Sequence, residues 1–168
     1  MSSKRVDAAM VMVAVLLAVV PAGAEGVTEP APVRRVVVSI PDRKLAVIEN
    51  GAPVEFYDIA VGKPSTPSPV GTFTIVTRLA NPTYYRPGVV IEPGSRNPLG
   101  TRWMGLSQKG YGIHGTSDPS SIGYAKSHGC IRLRNADVER LYERLRTGDV
   151  VELHAERTPE IEALFPAS

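Results

Sequence analysis

Two short segments of the chain contain the residues best suited to covalent chemistry. The first is His114-Gly115, and the second is Ser127-His128-Gly129-Cys130-Ile131-Arg132; together they hold two of the three histidines and the single cysteine. A free thiol has a pKa of about 8.5, so it is a weak nucleophile at neutral pH unless a base or a cation promotes the thiolate. The combination predicts a cysteine nucleophile that is activated by a histidine.

The positions of the two histidines favour different roles. His114 ends a predicted strand and can approach Cys130 from a separate element, the usual way in which a base is held against a nucleophile, so we expect it to be the base. His128 is explained equally well as a loop histidine bonded to the backbone and as a catalytic group. Gly129 permits a close backbone approach, so we expect its N–H and that of Cys130 to face a developing oxyanion. Arg132 is expected to bind an anionic substrate group or an acidic side chain that fixes the loop.

The composition narrows the class of protein. The 168 residues include 19 Lys and Arg against 17 Asp and Glu, with a net charge of +2, and show no basic cluster of the kind that binds nucleic acid. The 43% of apolar residues, with 15 Gly and 15 Pro, indicate one globular domain with many turns and short strands. A single cysteine excludes an intrachain disulfide framework and a zinc site built from several thiolates.

The N-terminal residues have the features of a secretory signal peptide. Lys4 and Arg5 precede an apolar run over residues 8–20, and small residues follow at 22–24. The run is shorter than the roughly 20 apolar residues that span a bilayer, so we predict a secretory signal peptide over residues 1–24, engaged by the export machinery, rather than an anchor. Residues 25–33 predict a short linker. Export strengthens the expectation that the unpaired thiol is functional.

The rest of the chain has mostly strand patterns. Short β-branched segments, separated by turn residues, predict strands at 36–40, 44–48, 54–61, 71–76, 102–106, 111–114 and 150–153. The Pro- and Gly-rich residues 81–98 predict a long irregular loop, in which Tyr84-Tyr85-Arg86 is expected to form a lid. We therefore predict a mainly β domain over residues 34–156, followed by a C-terminal tail over 157–168.

One amphipathic helix is predicted just after the cysteine. Val138, Leu141, Tyr142 and Leu145 recur at helical spacing and form a single apolar stripe. Asn135 is expected to be the N-cap of this helix.

Taken together, these residues resemble the signature of the L,D-transpeptidase catalytic domain (YkuD-type). That signature is His-Gly followed about sixteen positions later by Ser/Thr-His-Gly-Cys, a hydrophobic residue, and Arg or Asn, and the two segments of this chain fit it. Residues 61–73, 97–100 and 103–104 are also similar to segments of this family. The resemblance covers roughly residues 36–153.

The resemblance implies a mainly β, sandwich- or barrel-like fold and an exported enzyme of the periplasm or cell-wall space. Members of the family act on peptidoglycan stem peptides. The thiolate attacks the carbonyl of the third, diamino acid residue of a tetrapeptide, D-Ala leaves, and the acyl group passes to an amine of a second stem or of a lipoprotein. Hydrolysis of the same substrate is the alternative. The resemblance also implies acylation by carbapenems and a reaction without metal or organic cofactor.

The resemblance assigns a role to each residue of the signature. Cys130 is the nucleophile, and His114 is the general base and later the acid. Three loop residues are implied to orient the base or to bind the oxyanion, and two more to bind substrate. The residues that orient the base or bind the oxyanion are Gly115 (through its carbonyl), Gly129 (together with the Cys130 N–H) and His128. The residues that bind substrate are Ser127 and Arg132.

Other classes of protein share part of this pattern. Papain-like wall peptidases have the cysteine before the histidine, whereas here His114 precedes Cys130. Sortase-like transpeptidases share the order His, Cys, Arg, but their histidine lies much further from the cysteine and they lack the Ser-His-Gly-Cys run. A binding module without enzymatic activity stays open, either for wall peptides or for a zinc ion held by His114, His128 and Cys130.

Overall fold

The computed structural model describes residues 32–167. The predicted signal peptide (1–24) and nearly all of the predicted linker (25–33) lie outside the described residues. Twelve strands and two helices are present in the described part: β1 (Arg34–Ser39), β2 (Lys44–Glu49), β3 (Ala52–Asp58), β4 (Val61–Gly62), β5 (Gly71–Ala80), β6 (Tyr84–Arg86), β7 (Val89–Ile91), β8 (Arg102–Leu106), β9 (Gly112–His114), β10 (Ala125–Ser127), β11 (Ile131–Arg132), α1 (Asn135–Arg144), β12 (Val150–His154) and α2 (Pro159–Leu164).

An eight-stranded mixed sheet forms the body of the domain. Its strands lie in the order β11-β9-β8-β5-β12-β1-β2-β3, and two small sheets, β10-β4 and β6-β7, lie beside it. The pairs β1–β12 and β9–β11 are parallel, and the other neighbours in the large sheet are antiparallel. The prediction of a mainly β domain is confirmed, and each strand predicted from the sequence corresponds to a strand in the structure.

Both faces of the central strands are covered, which explains their nearly continuous apolar sequences. On one face, side chains of β1, β2, β12 and β9 pack in the main core with Val138 and Leu141 of α1 and with Leu145, its C-cap residue. On the other face, Val37, Ala46 and Ile48 pack under α2. Strands β1 and β2 are therefore packed on both faces, and β9 joins the main core through Ile113.

The start of α1 differs from the prediction. Arg134 is the N-cap residue and makes no side-chain capping bond, while Asn135 is the first residue of the helix. The Asn135 side chain accepts hydrogen bonds from two neighbouring loops instead of from its own helix. The prediction of Asn135 as the N-cap is wrong because these tertiary donors compete successfully with the helix N–H groups.

The segment expected as a C-terminal tail contains the second helix, α2. Its N-cap Thr158 accepts a hydrogen bond from the Ile161 N–H, and Pro159 occupies the first turn, where its missing N–H is not needed. Ile161 and Phe165 are buried against the sheet. The helix is too short to show a clear periodicity in the sequence.

The predicted irregular loop contains a hairpin formed by β6 and β7. Tyr84 pairs with Ile91 and Tyr85 with Val90. The buried Asn97 closes the base of this segment, since its Nδ2 donates to the carbonyls of Pro82 at 2.8 Å and Ile91 at 3.0 Å. Within residues 32–167, no helix is long and apolar enough to cross a membrane.

The packing of α2 gives a testable stability prediction. We expect Ile161→Ala to lower the free energy of unfolding by about 2–5 kcal/mol, the usual cost of truncating a fully buried aliphatic side chain. Urea denaturation would measure the change, with the exposed neighbour Glu162→Ala as the matched control. Equal effects of the two substitutions would contradict the packing described.

Candidate active site

The pairing of β9 with β11 brings the two signature segments together. Ile113 lies opposite Ile131, and His114 lies opposite Arg132. Because side chains alternate along a strand, the two isoleucines enter the core, where both are almost fully buried, while His114 and Arg132 share the opposite face. Cys130 is one residue before β11 and lines the same cleft as His114 and Arg132.

This cleft has a volume of about 550 Å³. It lies between the ends of β9 and β11 and the β6–β7 hairpin, and the residues that line it include no Asp or Glu and a single cation, Arg132. The lining residues are Leu79, Pro82, Thr83, Tyr84, Tyr85, Pro98, Leu99, Trp103, Gly110, His114, Ser127, His128, Cys130 and Arg132.

His114 is held in a defined orientation. Its Nδ1 lies 2.6 Å from the carbonyl oxygen of Gly115, and its ring stacks on Trp103 with 5.6 Å between the ring centroids. Since a carbonyl only accepts, Nδ1 carries the proton and Nε2 keeps a free lone pair. Burial lowers the pKa of His114 from 6.5 to about 4; the hydrogen bond to Gly115 opposes this shift, and the charge of Arg132 adds to it. The imidazole is therefore neutral at neutral pH.

Cys130 is half-buried, and its thiol donates to the Gly110 carbonyl across 3.7 Å. Burial raises the pKa of the thiol above its ordinary value, and a main-chain hydrogen bond from Gly112 and the charge of Arg132 oppose the effect only in part. The pKa shifts of Cys130 and His114 have the same effect on the pair. They favour a neutral thiol and a neutral imidazole over a thiolate and an imidazolium.

Ser127 closes the loop that presents the cysteine. Its buried hydroxyl donates to the Cys130 carbonyl at 2.6 Å and accepts from the Gly129 N–H at 2.9 Å. One prediction is contradicted by this geometry, because the Gly129 N–H points to Ser127 rather than to an oxyanion. The Ser127 hydroxyl is engaged inside the loop while Ser127 lines the cleft, and its contact with substrate stays a prediction.

Only glycine fits at position 129. Its φ is +113°, and a Cβ there would lie 2.6 Å from Cε1 of Tyr111. The preceding Pro-rich loop supports this turn from outside, because the Lys63 N–H and the Thr66 hydroxyl both donate to the Ser127 carbonyl, at 3.1 and 3.3 Å. The conformation of the cysteine loop is thus fixed by sterics and by hydrogen bonds.

The main chain of Arg132 is held by hydrogen bonds, whereas its side chain lines the cleft. Its N–H donates to the Ala60 carbonyl at 3.0 Å, and its carbonyl accepts from the Ala60 N–H at 2.9 Å. The buried Nε has no hydrogen-bond partner, and no carboxylate among residues 32–167 lies within 4 Å of the guanidinium. His128 is exposed at the rim of the cleft.

The alternative zinc site does not form. Among the described residues, no group of three or more His, Cys, Asp or Glu side chains is arranged to hold a metal ion. His114, His128 and Cys130 line one cleft, but the Nδ1 of His114 is committed to the Gly115 carbonyl. The structure therefore offers no support for a zinc-binding module.

Three aromatic residues help to build the cleft, and for one of them, Trp103, the sequence indicated no role. Trp103 covers the His114 ring, and Tyr84 and Tyr85 of the hairpin form the facing wall. An aromatic residue in a small β domain usually belongs to the core, so the residue type alone does not indicate a position in the cleft. Of the expected lid residues, Tyr84 and Tyr85 line the cleft and Arg86 does not, and closure of the lid stays a prediction.

Comparisons with known proteins find a matching family and similar sequences. The L,D-transpeptidase catalytic domain family model matches residues 33–153. A putative L,D-transpeptidase YkuD of Bacillus licheniformis is 45% identical over 107 residues, which are 64% of this chain and 57% of that protein. A putative L,D-transpeptidase YqjB of Bacillus subtilis is 39% identical over 119 residues, 67% of this chain and 66% of that protein. This chain therefore spans less than two thirds of the length of these relatives.

The fold also matches solved structures. The structure of the L,D-transpeptidase LdtMt1 in complex with imipenem superimposes with a TM-score of 0.61 at 22% identity, covering 73% of this chain and 59% of that one. At this level of identity the likeness shows the fold alone. The family model, in contrast, matches well over half of the chain by sequence, and it includes both signature segments. The chain accordingly belongs to the L,D-transpeptidase catalytic domain family.

Proposed function

We propose that this protein is an exported, cysteine-dependent L,D-transpeptidase that acts on peptidoglycan tetrapeptide stems in the periplasm or cell-wall space. The observation that carries the proposal is the placement of Cys130 and His114 in one cleft, with Nδ1 of His114 bound to a main-chain carbonyl and Nε2 left free. A base with a free lone pair in the same cleft as a thiol is an arrangement suited to nucleophilic acyl transfer. The features of residues 1–24 support the exported location.

The first half of the reaction forms an acyl-enzyme. As Sγ of Cys130 attacks the carbonyl carbon of the third residue of the stem, Nε2 of His114 takes the thiol proton. The carbonyl oxygen becomes an oxyanion, for which the Cys130 N–H is the candidate donor. The carbon–nitrogen bond to D-Ala then breaks, the nitrogen takes the proton from the imidazolium, and a thioester remains.

The second half transfers the acyl group. An amine of a second stem or of a lipoprotein attacks the thioester carbonyl, His114 accepts the amine proton, and the same proton returns to the departing sulfur. An amide forms and the free thiol is regenerated, so neither an oxidant nor an external acid is consumed. Water in place of the amine gives a tripeptide, which is the L,D-carboxypeptidase alternative.

The neutral resting state has a kinetic consequence. Because burial disfavours the charged forms of both Cys130 and His114, the proton leaves the thiol as the sulfur attacks rather than beforehand. A thiol that is neutral before substrate binds also reacts more slowly with oxidants than a thiolate does, which matters in an oxidising compartment.

Arg132 is suited to bind the terminal carboxylate of the tetrapeptide. In that substrate the carboxylate belongs to D-Ala, the residue that directly follows the bond that breaks. Arg132 is the single cation that lines the cleft with Cys130. Its guanidinium has no carboxylate partner within 4 Å in the described part of the chain, and a guanidinium pairs well with a carboxylate. This contact would distinguish a tetrapeptide from a longer stem.

The covalent intermediate is directly testable. We expect intact-protein mass spectrometry of residues 32–168 to show one adduct after incubation with a carbapenem, and none with Cys130→Ala. With a disaccharide tetrapeptide, the wild type should release D-Ala, and a cross-linked dimer or a tripeptide would identify the acceptor. Folded wild-type protein that forms no adduct and releases no D-Ala would contradict the proposal and favour a wall-peptide binding module.

The role of Arg132 predicts a preference for a free terminal carboxylate. We expect the wild type to prefer the tetrapeptide over its C-terminal amide by about 10-fold or more in kcat/KM, the usual size of a hydrogen bond to a charged group, and Arg132→Gln to lose this preference. Arg134→Gln, an exposed arginine two residues further along, is the matched control. A preference that survives in Arg132→Gln would reject the assignment.

The buried neutral His114 also predicts a pH dependence of stability. Its pKa is about 4 in the folded protein and 6.5 in the unfolded chain, so the unfolded state binds more protons between these values and stability falls as pH drops below about 6.5. Between pH 7 and pH 4.5 we expect a loss on the order of 2 kcal/mol from this group. Urea titrations of the wild type and His114→Gln would measure it. The variant should lose less stability over this range, and equal losses would contradict the burial of a neutral ring.

A further inference from the structure

The first residue of α1 points away from its helix and into the backbone that supports His114. Oδ1 of Asn135 accepts hydrogen bonds from the Thr116 N–H at 3.1 Å and from the Thr101 N–H at 3.3 Å. Thr101 directly precedes β8, and Thr116 follows β9, so one amide oxygen joins two loops from different parts of the sequence. The mechanism above assigns no role to this residue.

The two loops leave room for this oxygen only because each contains a glycine. A Cβ at Gly100 would lie 2.1 Å from Oδ1 of Asn135, and a Cβ at Gly115 would lie 2.2 Å from it. Real Cβ atoms do not approach an oxygen so closely. A side chain at either glycine would therefore displace the Asn135 amide from this position.

The contact with Thr116 leads directly to His114. The Thr116 N–H and the Gly115 C=O belong to one planar peptide group, in which they point in opposite directions. Asn135 binds the N–H side of this group at 3.1 Å, and Nδ1 of His114 binds the C=O side at 2.6 Å. A hydrogen bond on one side fixes the direction of the other and polarises it, since linked hydrogen bonds strengthen one another.

We propose that Asn135 is a positioning residue that acts through the Gly115–Thr116 peptide group to fix the orientation and tautomer of His114. The proposal rests on the proposed role of His114 as the general base. Asn135 keeps the proton on Nδ1 and the lone pair on Nε2, and it strengthens the carbonyl that stabilises the imidazolium formed during attack. The base is thus oriented by a chain of two hydrogen bonds that starts at the helix.

Three variants test the proposal. Asn135→Ala removes the accepting oxygen, and Asn135→Asp keeps an acceptor of the same shape. Asn50→Ala is the matched control, because Oδ1 of Asn50 also accepts a main-chain hydrogen bond, from Val33 at 3.1 Å, in the turn between β2 and β3. The thermal midpoint of each variant establishes that it is folded.

The first measurement is the first-order rate of acylation by a saturating carbapenem, separated from the binding constant by rapid mixing. We expect Asn135→Ala to lower this rate about 10-fold with unchanged binding, and Asn135→Asp to restore most of it. Asn50→Ala should acylate at the wild-type rate. A wild-type rate in folded Asn135→Ala, or an equal loss in Asn50→Ala, would overturn the proposal.

The second measurement is the tautomer of His114, determined from ¹⁵N chemical shifts of histidine-labelled protein. We expect the Nδ1–H form in the wild type, Asn135→Asp and Asn50→Ala, and a mixture of tautomers in Asn135→Ala. An unchanged tautomer in Asn135→Ala would overturn the proposal. This readout needs no catalysis, so if the wild type formed no adduct, the proposed function would fail while the tautomer still decided the role of Asn135.

Discussion

The parallel pairing of two very short strands, β9 and β11, is the constraint on which the site depends. Only Ile113–Ile131 and His114–Arg132 are paired, and the ladder continues through the Leu133 N–H, which donates to the His114 carbonyl at 2.9 Å. Burial of the two isoleucines determines which face the polar residues take. A shift of the register by one residue would turn the histidine into the core and an isoleucine into the cleft.

Burial imposes a second constraint, because the charged forms of His114 and Cys130 are costly where these side chains are withdrawn from water. The structure meets it by keeping His114 and Cys130 neutral and by bringing one permanent cation, Arg132, to the same cleft. That cation lowers the pKa of both groups, which opposes protonation of the base and favours loss of the thiol proton. The same guanidinium has no carboxylate partner within 4 Å among residues 32–167, and the proposed function uses it as the counter-charge for an anionic substrate.

Local patterns in the sequence predicted much of this architecture. The strands followed from β-branched segments between turn residues, α1 from the spacing of Val138, Leu141 and Leu145, and the reactive pair from residue types that have little other reason to be close. The short helix α2 and the β6–β7 hairpin were missed, since six and three residues are too few to show a period.

The direction of individual polar groups was beyond sequence reasoning because it depends on which loops meet. The Gly129 N–H was expected at an oxyanion, but the Ser127 hydroxyl lies 2.9 Å away and accepts it. Asn135 was expected to cap α1, because an asparagine at this position can either accept from the helix N–H groups or accept from neighbouring loops. The role of Asn135 depends on Gly100 and Gly115, which are distant from it in sequence. Because neither has a Cβ, they leave a space that the amide oxygen of Asn135 occupies.

Helix α1 therefore connects the main core to the chemistry. Val138 and Leu141 are fully buried beneath the sheet and set the position of the helix, whose first residue binds the Thr116 N–H behind His114. Side chains in well-packed cores occupy fixed positions, so a helix anchored in this way presents its first residue with little freedom. A loop alone would hold the same amide less firmly, and the orientation of the histidine would then vary with the motion of that loop. The packing that stabilises the fold is thus also what limits the imidazole to one orientation.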